Sequence, residues 1–364
     1  TGMIGKWHLE PTPIDDQWIM KNMPEAKHKV GGRTPIPFTT TEKYFPGNRG
    51  FTEFFKGEMN RYWANYDLDG NSLKPGGEWR EEEGYRLDIQ TDAALAFIDR
   101  HKKDPFFLYL AYFAPHVPLA ATEKYLSRFP GKMPERRRHC LAMMSAIDDG
   151  TGRILDALKK HRIDDNTLVF FISDNGAPLK IAMKDIPISF PGGAWDGSLN
   201  TPWVGEKGML SEGGIHVPYL MRWPGGLPAG KVYEHPVSSL DVGATAVALA
   251  GLPEDPALDG VNLIPFLSGE SAEAPHSDLF WRFWGQSSVR SGRWKLLIAG
   301  EDKFLFNLES DEHENINLLA KHPEIAQKLE VRLRKWASDL DTPGLPTEKF
   351  NPEEKGWYDH YMSQ

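Results

Sequence analysis

Gly5-Lys6-Trp7-His8 sets a permanent cation two residues from an imidazole. If this segment is extended, Lys6 and His8 project to one face and Trp7 to the other. Such a pair can hold an anion and move a proton near neutral pH, although a strand end with an exposed lysine reads the same way. Ala114-Pro115-His116-Val117-Pro118 follows an apolar run, and its prolines stiffen the loop that carries His116. Open α/β sheets build active sites in loops at the carboxyl ends of their strands; the bland alternative is a histidine that caps local backbone. Ser173-Asp174-Asn175-Gly176 follows a second apolar run. A carboxylate beside an amide oxygen suits a hard cation such as Ca²⁺ or Mg²⁺, yet two ligands are not a full set and Asp-Asn-Gly is also a common turn. Gly205-Glu206-Lys207-Gly208, with Ser211 to Pro218 behind it, lets backbone approach an anion while Lys207 supplies a point charge. Its spacing is not that of a P-loop.

These four segments need a frame. Residues 11–89, rich in Pro, Gly and charge, read as loops with short elements. A helix is predicted over 89–102, where Ala93, Ala94, Phe97 and Ile98 keep helical spacing. The run at 105–113 suits a strand buried on both faces. Pro134 opens the clearest helix, with Leu141, Met144, Ile147, Thr151, Ile154, Leu155 and Leu158 along one side. Strands at 167–176 and 218–225 and a helix at 239–251 follow. Strand alternating with helix implies an α/β sheet with covering helices. Near Pro265 the texture changes: antiparallel strands over 279–284, 288–300 and 303–310, then a helix over 323–340. The reading is therefore two domains, 1–265 and a smaller α+β domain over 266–364.

The composition narrows the partners. A net charge of −9 over 364 residues argues against nucleic acid, which needs a basic face. No apolar run approaches the ~18 residues of a membrane span. The single cysteine, Cys140, excludes an internal disulfide and a cysteine-based zinc cluster, and reads as a buried helix residue. Arg136-Arg137-Arg138 and Glu81-Glu82-Glu83 read as solvated faces. Asp67-Leu68-Asp69-Gly70-Asn71 starts like a calcium loop but lacks a Glu at its twelfth position, so it reads as a turn. The 12 tryptophans, Trp281 and Trp284 among them, offer sugar-stacking platforms or core, and core is the reading for most of them.

In their order and spacing, GKWH, FLYLAYFAPHVPL, SAIDDGTGRILDAL, FISDNG and DGSLNTPWVGEKGMLSEGGIHVPYLMRWPG resemble the type I, formylglycine-dependent sulfatases of the alkaline phosphatase superfamily. GQSSVRSGRWKLL and FLFNLES extend the resemblance to about residue 340. It implies an α/β/α sandwich around a mostly parallel mixed sheet, with a C-terminal α+β subdomain on an antiparallel sheet. It implies hydrolysis of sulfuric esters, on a sulfated carbohydrate, by a formylglycine nucleophile and a divalent cation, usually calcium. Lys6 would bind the sulfate and the nucleophile, and His8 would assist proton removal. His116 and Lys207 would hold the ester and protonate the leaving oxygen, and Asp174 and Asn175 would be metal ligands. A periplasmic or secreted location follows from the same likeness; oligomeric state does not.

The family's Cys-x-Pro-Ser-Arg nucleophile motif does not occur in the sequence, and neither does its upstream Asp-Asp pair. The resemblance places both before Thr1, together with a central strand. The expectation is thus a chain inactive alone, with open strand edges and exposed apolar surface. A phosphoester or phosphonate hydrolase of the same superfamily, and a non-catalytic remnant that binds sulfated glycans, are the alternatives.

Overall fold

The structure, a computed structural model, describes residues 1–11, 19, 21–23, 34–190, 193–340 and 350–362. The chain divides into two compact units. The first holds Thr1–Asp164 and Lys184–Ser198, and the second Asp165–Met183, Leu199–Pro343 and Thr347–Gln364. Compactness and sequence texture therefore divide the chain at different places.

The first unit is built on a five-stranded mixed sheet of order β4-β3-β2-β1-β5. Its strands are β1 (Gly2–Gly5), β2 (Glu53–Lys56), β3 (Arg61–Ala64), β4 (Glu78–Glu81) and β5 (Leu108–Ala111). β1 pairs in parallel with β2 and β5, while β2–β3 and β3–β4 are antiparallel. β1 is wholly buried, which suits its apolar or glycine residues on both faces. α1 (Arg86–His101) begins three residues before the predicted start, and Leu87, Ala93, Ala94, Phe97 and Ile98 form its buried side. β5 is shorter than its apolar run and stands at the sheet edge among the described residues, with Phe107 and Tyr109 exposed.

α2 (Glu135–His161) starts where Pro134 places it. Pro134 offers no side-chain cap, so the carboxylate of Asp185 accepts the Glu135 and Arg136 amides at 3.1 and 3.3 Å. Arg162, in the left-handed conformation at φ 60°, ends the helix. Its basic start corrects the sequence reading. Arg136 is not solvated: it is 1% exposed, and its guanidinium donates to the carbonyls of Ile186, Trp195 and Pro187 at 2.8–2.9 Å. Arg137 and Arg138 also spend donors on backbone, at Gly197 and at Phe129 and Gly131. The Asp67 loop is the turn that was read: its carboxylate accepts the Asn71 amide at 2.7 Å.

In the second unit, β6 (Val169–Ile172) and β7 (Tyr219–Arg222) form an antiparallel pair, with Phe171 and Leu220 exposed. α3 (Glu212–Ile215) lies just before β7, and α4 (Asp241–Leu249) sits inside the predicted helix. The C-terminal sheet is a meander of order β11-β10-β9-β8: Asp278–Phe283 (β8), Gln286–Ser291 (β9), Trp294–Ala299 (β10) and Asp302–Asn307 (β11). The 288–300 stretch, read as one strand, is two strands folded at Gly292-Arg293. α5 (Pro323–Ser338) packs Ala326, Leu329 and Leu333 against Val289, Leu296 and Leu305. α6 (Pro352–Tyr361), opened by a capping box of Asn351 and Glu354, packs Trp357 and Tyr358 against Met209, Leu210, Leu297 and Ala299. The α/β class with a mixed sheet and a C-terminal antiparallel sheet holds.

Candidate active site

In the first unit the site residues leave the carboxyl ends of β1 and β5. Gly5 turns the chain at φ 91°, and a Cβ there would lie 2.1 Å from the Ala111 carbonyl oxygen. That close approach lets the Lys6 amide donate to the same oxygen at 2.8 Å. Trp7 is buried, and its indole donates to the Tyr44 carbonyl at 2.7 Å. His8 is exposed and left-handed, at φ 53°, so the extended geometry does not reach it.

Phe113, 5% exposed, is the common contact beyond β5. Its ring lies 5.6 Å from Lys6 Nζ, 4.6 Å from the Arg86 guanidinium carbon and 5.3 Å from the His116 ring. Arg86, which the sequence reading passed over, is 3% exposed and donates to the Pro118 carbonyl at 2.5 Å, fixing the far end of the histidine loop. His116 Nδ1 lies 2.6 Å from the Val117 carbonyl oxygen. A carbonyl only accepts, so Nδ1 carries the hydrogen and, in the neutral ring, Nε2 is the acceptor nitrogen.

In the second unit the loop after β6 and the Lys207 loop are fastened together by backbone and buried polar groups. Asn200 accepts the Ala177 amide at 2.6 Å and donates to the carbonyls of Ala177 and Gly205 at 3.0 and 2.9 Å. The Lys207 amide donates to Ala177 O at 3.0 Å. Glu206 is fully buried and accepts the Lys180 and Ile181 amides at 2.7 and 2.8 Å and the Tyr361 hydroxyl at 3.1 Å. Gln286, at the start of β9, donates to Gly208 O at 2.9 Å and accepts the Leu210 amide at 3.1 Å. Asp174, Asn175 and Lys207 are thus carried by one hydrogen-bonded piece, while Lys6, His8 and His116 belong to the first unit.

The sequence reading missed a buried ion cluster behind this piece. Lys295, fully buried on β10, lies 2.7 Å from Glu212 and 2.8 Å from Glu314. Burial pushes the Glu212 carboxyl up, but Lys295 and His216 more than offset it and hold it down at about 2. Burial and the neighbouring Glu212 push Glu314 up to about 6 against the pull of Lys295. Lys295 shows in the sequence only as part of RSGRWKLL, and no local signal pairs it with acids 83 and 19 residues away. Cys140 is fully buried, and burial, helped by Asp196, pushes its thiol up to about 12, so it is a packing residue and not a nucleophile.

Asp174 and Asn175 offer the oxygen donors that a hard divalent cation takes, and so fit part of its shell. Among the described residues no group of three or more His, Cys, Asp or Glu could hold a metal ion.

In the first unit a lysine and a histidine follow strand exits, and in the second a carboxylate–amide pair follows β6; these residue types suit an anionic ester and a hard cation. The sulfatase family model matches residues 1–252, and the C-terminal N-sulphoglucosamine sulphohydrolase model matches residues 202–339. The chain belongs to the sulfatase family, whose members hydrolyse sulfuric esters and generally use a metal and a formylglycine. It is 35% identical to the uncharacterized sulfatase YdeN of Escherichia coli (strain K12), over 96% of this chain and 67% of that protein. It is 36% identical to human N-acetylgalactosamine-6-sulfatase, over 75% of this chain and 47% of that protein. It is 37% identical to human arylsulfatase H over 51% of this chain and 31% of that one, so it spans a third to two thirds of these relatives' lengths. The crystal structure of Ps i-CgsB, also solved in complex with k-i-k-neocarrahexaose, superposes with a TM-score of 0.71 at 29% identity, over 99% of this chain and 75% of that one.

Proposed function

We propose that the protein hydrolyses sulfate esters on a carbohydrate, with Lys6, His8, His116 and Lys207 as the site side chains and Asp174 and Asn175 as metal ligands. The observation that carries this reading is the bond from the Lys207 amide to Ala177 O, backed by Asn200, which ties a cation to the carboxylate–amide pair. The sugar substrate is supported by the carbohydrate bound in the Ps i-CgsB complex and by the name of the human relative.

Lys6 and Lys207 bind the sulfate oxygens as point charges. His116, its Nδ1 hydrogen held by Val117 O, presents Nε2 to the ester and with Lys207 delivers a proton to the leaving oxygen. His8 takes a proton from the attacking group. Asp174 and Asn175 would hold part of the shell of a divalent cation, calcium or magnesium, which would supply Lewis-acid polarisation of the sulfate, and a formylglycine would supply the nucleophile. We assign catalysis to residues 1–265 and read 266–364 as a C-terminal subdomain. A periplasmic or secreted location agrees with a polysaccharide substrate; no helix among the described residues is long and apolar enough to cross a membrane.

Calorimetric titration tests the substrate class with a sulfated galactan oligosaccharide, its desulfated counterpart and a phosphorylated analogue. At least tenfold tighter binding of the sulfated sugar than of either other ligand is expected. Equal binding of sulfated and desulfated sugar contradicts the reading, and a preference for the phosphorylated analogue replaces it.

A further inference from the structure

We infer that Lys295, with Glu212 and Glu314, is the positioning residue that fixes Asp174–Asn175 relative to Lys207; the inference rests on the function proposed above. Glu212 opens α3, and the next two residues are where both site loops meet. The Gly176 amide, one residue after the metal-ligand pair, donates to Gly214 O at 2.9 Å. A Cβ on Gly176 would lie 1.9 Å from Gly213 O, and one on Gly214 would lie 2.1 Å from Met209 O. The Gly213 amide donates to Val204 O at 2.8 Å. The α3 backbone is therefore wedged between the loop that carries Asp174 and Asn175 and the loop that carries Lys207. There is no room for it to shift without moving one of them.

What holds the wedge is the ion cluster. Glu212 gives one oxygen to Lys295 at 2.7 Å and the other to His216 at 3.0 Å. Glu314 pairs with Lys295 through one oxygen at 2.8 Å, and its other accepts the Glu212 amide at 2.6 Å. Glu314 thus grips α3 twice, through Lys295 and through the Glu212 backbone. It does so from a left-handed backbone at φ 59°, a conformation that a non-glycine residue keeps only where its surroundings impose it. A buried ion triad gives weak net stability against a well-packed apolar replacement, so geometry is the stronger reason for its presence. Lys295 stands on β10, in the middle of the four-stranded sheet, and carries the rigidity of that sheet to the site.

Lys295→Met and Glu314→Gln test this by amide hydrogen exchange together with titration of Ca²⁺ alone and of the sulfated oligosaccharide. We expect the amides of Gly176, Lys207 and Gly213 to exchange at least tenfold faster in each variant that folds, with α5 and the β9–β11 core unchanged. Affinities for Ca²⁺ and the oligosaccharide should fall about tenfold together. If Lys295→Met does not fold, Glu314→Gln, which keeps volume and an acceptor for the Glu212 amide, decides the matter. Unchanged exchange at those three amides, or faster exchange spread evenly over the sheet, overturns the inference. If the wild-type protein binds neither Ca²⁺ nor the sulfated sugar, the proposed function fails, while the exchange pattern still tests the positioning role.

Discussion

Asn200 and Ala177 exchange two hydrogen bonds, side chain to backbone in both directions, at 2.6 and 3.0 Å. The same amide nitrogen also reaches Gly205 O, so one buried side chain spans the two loops that bear the site residues of the second unit. Asn200→Ala removes the partner of the buried Ala177 N–H and of the Gly205 carbonyl, while Ala177 O keeps only the Lys207 amide. We expect a loss of about 2–3 kcal/mol of stability and at least tenfold weaker binding of the sulfated sugar. Chemical denaturation and calorimetry check these; a variant with wild-type affinity would detach Asn200 from the site.

Arg136 is a second internal clamp. Its three donor nitrogens bond three carbonyls of the 186–195 segment, and a lysine, whose donors all sit on one nitrogen, cannot reproduce the spacing of that fork. Arg136→Ala and Arg136→Lys should both destabilise by roughly 3 kcal/mol or more, seen as a lower denaturation midpoint. A lysine variant as stable as the wild type would show that charge alone suffices.

The ion cluster predicts a pH dependence of stability. Glu314, pushed up to about 6 by burial, keeps a proton between pH 4.5, its ordinary value, and about 6 that the unfolded chain has already released. The folded state binds more protons there, so this group's contribution falls as pH rises through that window, by on the order of 2 kcal/mol. Glu212, held down at about 2, acts oppositely: its contribution grows from about pH 2 to 4.5. Urea denaturation of wild type and Glu314→Gln between pH 4 and 7 should give a stability difference that changes across pH 4.5–6 and is flat above it. Parallel curves would contradict the assignment.

Much of this fold is written locally. The Pro134 start of α2, the run that becomes β5 and the turn at Asp67 each follow from neighbours in sequence. Three of the four candidate site strings directly follow a strand, β1, β5 or β6, whereas Gly205–Gly208 lies in the loop before α3. What lies further apart was not readable. Arg136 was assigned to solvent because a charge run at a helix start says nothing of carbonyls 50 to 59 residues away. Lys295 hid inside a largely buried strand, and its acids come from two other segments. The split of 288–300 was missed because Gly292-Arg293 makes too short a turn to break the apolar pattern. His8 left the extended path that periodicity alone assumes.

The central claim is that Lys207 and its partners act on a sulfate ester. Its most direct test is release of inorganic sulfate from a sulfated oligosaccharide, followed by ion chromatography with protein from its native source and with Lys207→Ala. The account predicts sulfate release that falls at least a hundredfold in Lys207→Ala, ~3 kcal/mol at the transition state. No sulfate release by the wild type, or release untouched by the substitution, would contradict it.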